Sequence, residues 1–318
     1  MERVLVIGAS GQIGTDLVLA LRAKFGNDMV FASDIKDASR EVMDGGPYLR
    51  LNAMDKEGIR KVVEQNHITQ IYLLAALLSA TGEQNPQLAW DLNMTSLSHV
   101  LDLSREGLFK KLFFPSSIAA FGPNTPKVMT PQYTIMEPST VYGITKLAGE
   151  RWVDYYAKRY NADIRSIRYP GLISWKAAPG GGTTDYAVQI FHDALKSGHH
   201  TCFLKEDATL PMMYMPDAIK ATINLMDADR DALTVHSSYN IAGVSFSPAE
   251  IYEAIKKHVP KFTISYEPDF RQGIAESWPQ SIDDSQANKD WGWKPDFGLD
   301  NMVEDMLTHL EKHFSVYK

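Results

Sequence analysis

Arg3-Val4-Leu5-Val6-Ile7 is a short, largely β-branched apolar run that breaks at Gly8-Ala9-Ser10-Gly11-Gln12-Ile13-Gly14. An apolar-periodic segment with Leu17, Val18, Ala20 and Leu21 follows. Such a pattern predicts a buried parallel strand, a glycine turn and a helix. It constrains the chain more than any other stretch, because a strand feeding a helix through glycines points unpaired amides and the helix dipole at one spot. A pyrophosphate is the expected guest there. The spacing is G-x-x-G-x-x-G, and a plain tight turn in another α/β protein is the competing reading.

A second predicted strand, Met29 to Ser33, ends at Asp34, twenty residues beyond Gly14. A carboxylate at this place accepts hydrogen bonds from the adenosine ribose and repels a 2′-phosphate, so NAD is favoured over NADP, although Lys36 follows closely. Further predicted strands are Tyr48–Leu51, Gln70–Leu74, Lys111–Pro115 and Asp163–Tyr169, separated by helical patterns. Strands and helices alternating at this rhythm predict an α/β fold, a doubly wound parallel Rossmann sheet, with its ligand across the carboxyl ends of the strands. Ala75 and Ala76 fall at one such end, where small residues let a cofactor approach the backbone. Beyond Pro170 the pattern becomes irregular. We expect residues 1–170 to form the dinucleotide-binding domain, with about 215–243 returning to it, and 171–214 with 244–318 to form a smaller substrate-binding domain.

With 318 residues, 44% of them hydrophobic and 22% charged, the chain has ample material for a core of this size. A net charge of -7 without a Lys/Arg block predicts neither a nucleic-acid partner nor an anionic membrane surface. The single cysteine, Cys202, cannot form an intramolecular disulfide or a cysteine-based metal cluster, which makes a zinc-dependent dehydrogenase improbable, and the nine histidines show no metal spacing, so no metal is expected. Met1-Glu2-Arg3 runs straight into the first strand and no apolar run is long enough to span a bilayer, so a cytoplasmic protein is expected.

Tyr142 and Lys146 are spaced i, i+4 on a predicted helix that Ser139 or Thr140 can cap, so their side chains are neighbours. A phenol is a poor base at neutral pH, but an adjacent ammonium favours the phenolate. Ser116-Ser117 sit at a strand's carboxyl end, and Ser117 can hydrogen-bond the same substrate oxygen. Together these groups can take a proton from an alcohol while a hydride leaves its carbon for a nicotinamide. A solvated Tyr/Lys face is the bland alternative, and the upstream glycine loop and Asp34 weigh against it.

The glycine loop, Ser116-Ser117 and Tyr142-Gly143-Ile144-Thr145-Lys146 together resemble the signatures of the extended short-chain dehydrogenase/reductases, over nearly the whole chain. Three later stretches are more specific. Arg168 to Trp175, Pro179 to Ala187 and Arg271 to Pro279 resemble the branch of that family formed by the short-chain L-threonine 3-dehydrogenases. The resemblance implies oxidation of the threonine 3-hydroxyl by NAD to 2-amino-3-oxobutyrate, with Tyr142 as base, Lys146 tuning it and anchoring the nicotinamide ribose, and Ser117 positioning the hydroxyl. It further implies a cofactor site made of Gly8, Gly11, Gln12, Ile13, Gly14, Asp34, Ile35, Asn52, Ala53, Leu74, Ala75, Ala76, Tyr142, Lys146 and Tyr169. Ser79, Thr183, Thr184 and Trp278 join Ser117 and Tyr142 as candidates for holding the amino acid. A homodimer through the helix of Tyr142 and the one around Asn93 to Leu103 is implied as well.

Two positions depart from the family's pattern. Asn52 stands where an aspartate usually reads the adenine amino group, a bond its carbonyl oxygen can still accept, and Phe121 stands where many members have tyrosine. Gly180-Gly181-Gly182 beside the substrate candidates suggests a segment that closes over bound threonine and excludes water. Two alternatives stay open: an NAD-retaining sugar-nucleotide epimerase or dehydratase, for which Arg271 and Lys176 are the visible bases, and a non-catalytic NAD-sensing protein.

Overall fold

In the first half of the chain, strands β1 (Val4–Ile7), β2 (Val30–Asp34), β3 (Tyr48–Arg50), β4 (Gln70–Leu73), β5 (Lys111–Ser117) and β6 (Asp163–Tyr169) alternate with helices α1 (Gln12–Phe25), α2 (Arg40–Asp44), α3 (Lys56–Gln65), α4 (Ser79–Gln84), α5 (Pro86–Arg105) and α6 (Val141–Tyr160). The computed structural model describes residues 2–176 and 182–316. The second half runs through β7 (Gly171–Ile173), α7 (Tyr186–Lys196), β8 (His199–Cys202), β9 (Leu210–Tyr214), α8 (Met215–Asp227), β10 (Tyr239–Asn240), β11 (Val244–Phe246), α9 (Pro248–Lys256), β12 (Thr263–Tyr266), α10 (Arg271–Ser277), α11 (Ser285–Trp291) and α12 (Leu299–Val316).

Seven strands form one parallel sheet in the order β10-β6-β5-β4-β1-β2-β3. The chain winds outward from β1 first through β2 and β3, then in the other direction through β4, β5 and β6. The reversal leaves a crevice at the carboxyl ends of β1 and β4, where a Rossmann sheet receives its ligand. Successive residues of a strand face opposite sides, and β1 shows this directly. Val4 and Val6 pack with Leu17, Leu21 and Ala218 of α1 and α8, while Leu5 and Ile7 pack with Leu97, Leu101 and Val153 of α5 and α6. Burial on both faces is why β1 reads as an unbroken apolar run.

Helix ends are set by local chemistry. The Thr140 hydroxyl accepts from the Gly143 amide at 3.1 Å and caps α6, which ends at Asn161 in the left-handed conformation. Ser247 and Glu250 form a reciprocal capping box on α9. Two small sheets, β11-β9-β7 and β12-β8, lie outside the main one, and a third apolar cluster joins α7, α9 and α12 to Ile118, Phe121 and Trp278. The expected return of the chain near residue 240 takes the form of β10, whose Tyr239 and Asn240 pair with Ile167 and Arg168 of β6. One segment differs from expectation. Ala287, Trp291 and Trp293, anticipated on the substrate side, pack with α1, α8 and Tyr239 against the main sheet.

Candidate active site

The glycine turn holds three glycines for two different reasons. Gly8 has φ +98, and a Cβ there would lie 2.6 Å from the Ala75 amide nitrogen. A Cβ on Gly14 would meet the Gly8 carbonyl oxygen at 2.2 Å. These two are demanded by the chain's own packing, which draws β1, α1 and the end of β4 together. Gly11 is different: its φ of -78 and ψ of 174 suit any residue, and a Cβ there would meet nothing closer than the Gly8 oxygen at 3.5 Å. The space it leaves open lies over the N-terminus of α1, which has no side-chain cap. Among the described residues the Gln12 and Ile13 amides have no protein acceptor. Open space above free first-turn amides fits a pyrophosphate.

Asp34 ends β2 beside this turn. Its Oδ2 accepts from the Ser10 amide at 3.1 Å and from the Ser10 hydroxyl, and its Oδ1 accepts from the Ile35 amide at 2.7 Å. Oδ1 also accepts from the Lys36 amide at 3.4 Å, so a ribose hydroxyl would take the place of that long bond or of the Ser10 hydroxyl. Ile35 is 68% exposed, and Ala53 lies buried near Asn52 at the end of β3. The Asn52 carbonyl oxygen already accepts from the Met54 amide at 3.0 Å, so only its second lone pair and its amide hydrogens face outward. Leu74 and Ala75 donate their amides to the Ile7 carbonyl at 2.8 and 3.0 Å, which ties the loop containing Ala76 to the glycine turn.

Ser117, Tyr142 and Lys146 converge at the carboxyl end of β5. Ser117 is its last residue, and its hydroxyl oxygen accepts from the Ala119 amide at 3.1 Å. Tyr142 lies in the first turn of α6, with the Lys146 nitrogen 5.3 Å from its ring centre. Lys146 is 4% exposed, donates to the Pro115 carbonyl at 2.7 Å and lies over the Phe114 ring. Burial pushes the Tyr142 phenol up to about 12, with the Ser117 hydrogen bond working the other way. Burial also pushes the Lys146 ammonium down to about 8, opposed by the Glu150 carboxylate. The sequence predicts a phenol lowered by its lysine; in the chain by itself desolvation prevails, and the lowering influence is the Ser117 hydrogen bond.

The other candidates divide. Ser79 opens α4 and is buried, and α4 docks on the start of α6 through the Glu83 carboxylate, which accepts from the Val141 amide at 2.8 Å. Thr184 lies against Gly171, where any Cβ would meet its Cγ2 at 2.7 Å, just beyond the end of β6. Thr183 is buried beside it. Trp278 is buried in the apolar cluster that Tyr142 borders. Tyr169 turns its side chain away from the crevice: its hydroxyl pairs with that of Thr222 and its ring packs edge-on to Phe113. Only its backbone, in register with Ser117, faces the site. Of the proposed closing run, Gly180 and Gly181 lie outside the described residues.

Asn93 was not foreseen as part of the site. Its carbonyl oxygen accepts from the Leu77 amide at 2.8 Å, and its amide donates to the Leu77 carbonyl and to Thr145 Oγ1, both at 3.1 Å. It thereby pins the loop after β4 between α5 and α6, and it lines a small cavity with Ala75, Ala76 and Lys146. A mid-helix asparagine carries no sequence signal of this. Arg271 and Lys176, the two bases considered for a sugar nucleotide, are both paired within the chain: Arg271 with Asp269 at 2.6 Å and over the Phe203 ring, Lys176 with Asp16 at 2.7 Å. Among the described residues no cluster of metal-ligating side chains occurs and no helix is long and apolar enough to cross a membrane.

Known proteins share this architecture. Residues 4–242 match the NAD dependent epimerase/dehydratase family. The mitochondrial L-threonine 3-dehydrogenase of Bos taurus is 47% identical over 309 residues, 96% of this chain and 82% of that one. The GalE-like L-threonine dehydrogenase from Cupriavidus necator, in its holo form, superposes with a TM-score of 0.95 at 58% identity, covering 97% of this chain and 99% of that one. A monomeric L-threonine 3-dehydrogenase from a metagenome superposes with a TM-score of 0.93 at 50% identity, covering 97% and 99%.

Proposed function

The chain belongs to the NAD dependent epimerase/dehydratase family, and from that premise we propose that its site oxidises the 3-hydroxyl of L-threonine with NAD, giving 2-amino-3-oxobutyrate. The observation that carries the reading is a proton-transfer set, Ser117, Tyr142 and Lys146, gathered at the cofactor crevice while Arg271 and Lys176 are spent on internal carboxylates. A nucleotide diphosphate would need free bases; an amino acid of threonine's size needs small hydroxyls and a wall, which Ser79, Thr183, Thr184 and Trp278 offer.

Gly8 to Gly14 hold the pyrophosphate of NAD, Asp34 its adenosine ribose, and Ile35, Asn52 and Ala53 its adenine, with Leu74, Ala75, Ala76 and the Tyr169 backbone along the nicotinamide half. Bound NAD supplies the hydride acceptor for C3 and a positive charge that favours a phenolate at Tyr142. Ser117 orients the substrate hydroxyl, Tyr142 receives its proton, and Lys146 holds the ribose and stabilises the phenolate. The hydride and the proton together account for the two electrons and two hydrogens lost by the alcohol.

Residues 1–170 with about 215–243 serve the cofactor in this reading, and 171–214 with most of 244–318 serve the substrate. A homodimer through α5 and α6 is part of the proposal, supported by exposed Leu88, Trp90, Ile144, Trp152 and Tyr155 on those helices. A cytoplasmic location is proposed with it, consistent with a lone, buried, unpaired Cys202. The test is the appearance of NADH absorbance with L-threonine. No signal with threonine but turnover of a UDP-sugar would replace this reading with an epimerase or dehydratase; NAD binding without turnover of either would replace it with a sensor.

A further inference from the structure

Tyr142 and Lys146 share their face of α6 with a third side chain one turn further on. Glu150 is fully buried, four residues after Lys146, so its carboxylate and the lysine are helix neighbours. Its two oxygens are clamped from the sheet. Oε1 accepts from the Ser116 hydroxyl at 2.6 Å and from Arg168 Nε at 2.9 Å, and Oε2 accepts from Arg168 Nη2 at 2.7 Å. Arg168 is held in turn: its Nη1 donates to the Gln132 carbonyl and to Asn240 Oδ1, both at 2.9 Å, and its guanidinium lies over the Phe121 ring. Ser116 and Arg168 are register partners on adjacent strands, so both grips on the carboxylate come from one place on the sheet.

A buried ion pair contributes little to stability beyond what an apolar pair of the same volume would give. Packing alone therefore does not call for a carboxylate at this place. Lys146 stands one helical turn before it on α6, and the carboxylate's charge favours the ammonium form across that turn. Among the described residues, the titratable or charged groups around that ammonium are Tyr142 and Glu150 on α6 and, behind Glu150, Arg168 on β6. β5 presents the Pro115 carbonyl, the Phe114 ring and the uncharged Ser116 and Ser117, and α5 presents Asn93 and Ser96 across the small cavity. Glu150 is the anion of this set.

We propose that Glu150 is a positioning residue for the hydride-transfer site, its clamped carboxylate keeping the Lys146 side chain charged and aligned along α6 toward Tyr142. The proposal rests on the reading of Tyr142 and Lys146 as the reacting pair. In it, Arg168, Ser116, Gln132 and Asn240 act together to fix one negative charge behind the lysine. A neutral residue of the same shape at position 150 would leave the lysine with only the Pro115 carbonyl in a desolvated site, and its proton would leave at lower pH.

The test follows the Lys146 resonance by NMR in lysine-labelled protein without cofactor, assigned by its loss in Lys146→Met. In Glu150→Gln the proton affinity of Lys146 should fall at least about tenfold, a midpoint lower by about one pH unit, and in Glu150→Asp, which keeps the charge, it should fall less. Turnover by Glu150→Gln should fall about fivefold near pH 8 for a shift of one pH unit, and the deficit should narrow as pH is lowered and the lysine is reprotonated. If Glu150→Gln fails to fold because Arg168 is left unpaired, the same titration is read in E150Q/R168Q, where the midpoint should again fall. An unchanged Lys146 midpoint, or a turnover deficit equal at all pH values, overturns the proposal. Turnover that survives in Tyr142→Phe overturns instead the assignment of the reacting pair, and the NMR result for Lys146 then stands by itself.

Discussion

At the scale of single residues, the phenol and the lysine are held in a desolvated corner whose cost falls on their charged forms. With the Tyr142 value raised to about 12 and Lys146 lowered to about 8, the phenolate fraction grows with pH throughout the neutral range. Oxidation by the wild-type protein should accordingly become faster from pH 7 to 9, measured as kcat/KM for threonine; a rate that fell over that interval would contradict Tyr142 as base. Tyr142→Phe should lower turnover by about 10²-fold or more and leave NADH binding, followed by fluorescence, nearly unchanged. Gly11 and Gly14 offer a sharper contrast. Gly11→Ala introduces a Cβ that the chain can accommodate, so stability should change by less than about 1 kcal/mol, yet NAD affinity should drop at least tenfold. Gly14→Ala drives a Cβ into the Gly8 carbonyl and should destabilise the fold itself by about 1–3 kcal/mol. Equal losses of NAD affinity and of melting temperature in both variants would show that Gly11, too, is a packing glycine.

At the scale of elements, the strands and helices that carry the cofactor and the proton-transfer groups were legible because each has a periodic signal. β1, β2, β4 and β5 are centred on apolar runs buried on both faces, β6 with its Arg165, Ser166 and Arg168 is legible through Ile164, Ile167 and its place after α6, and α5 and α6 start at recognisable caps or prolines. β9 was missed because Pro211 interrupts its run, and α10 and α11 because their seven residues are too few to show a period. At the site, the part played by Asn93 and the outward turn of the Tyr169 side chain were not legible for one reason: which way a side chain points depends on partners distant in the chain, Leu77 and Thr145 for one, Thr222 for the other. The pairing of Lys176 with Asp16 and the Phe203 ring beneath Arg271 were hidden in the same way, whereas the Asp269 partner of Arg271 stands only two residues before it. Helix α6 also carries its own prediction. Ile144, Trp152 and Tyr155 share an outward face, with Trp152 stacked on Tyr155 at 5.5 Å. Trp152→Glu should convert a dimer into a monomer in sedimentation equilibrium without loss of the helical circular dichroism signal. A wild-type chain that sediments as a monomer would instead align it with its metagenomic neighbour.

For the molecule as a whole, the main sheet is not finished where the dinucleotide motif suggests. β6 would be its edge if the chain stopped at residue 170, but β10 arrives from nearly seventy residues further on to pair with it, and α8 and Trp293 complete the apolar face beneath. Asn240 brings the acceptor for Arg168, and Ser238 the carbonyl that accepts from Gln132. A fragment of residues 1–170 would therefore expose an unpaired strand edge and deprive buried Arg168 of Asn240 and buried Arg165 of the Leu225, Met226 and Ala228 carbonyls, so it should aggregate or stay unfolded, whereas the full chain should unfold in a single transition seen by calorimetry and by circular dichroism alike. A fragment that folded and bound NAD would refute this. The consequence reaches to synthesis. A polypeptide emerging from the ribosome presents its glycine turn first, yet the contacts that close the sheet are long-range and come late, so nascent chains must wait with β6 uncovered until β10 has been made. That interval, rather than the finished structure, is when an open β6 edge offers itself to mispairing with other chains.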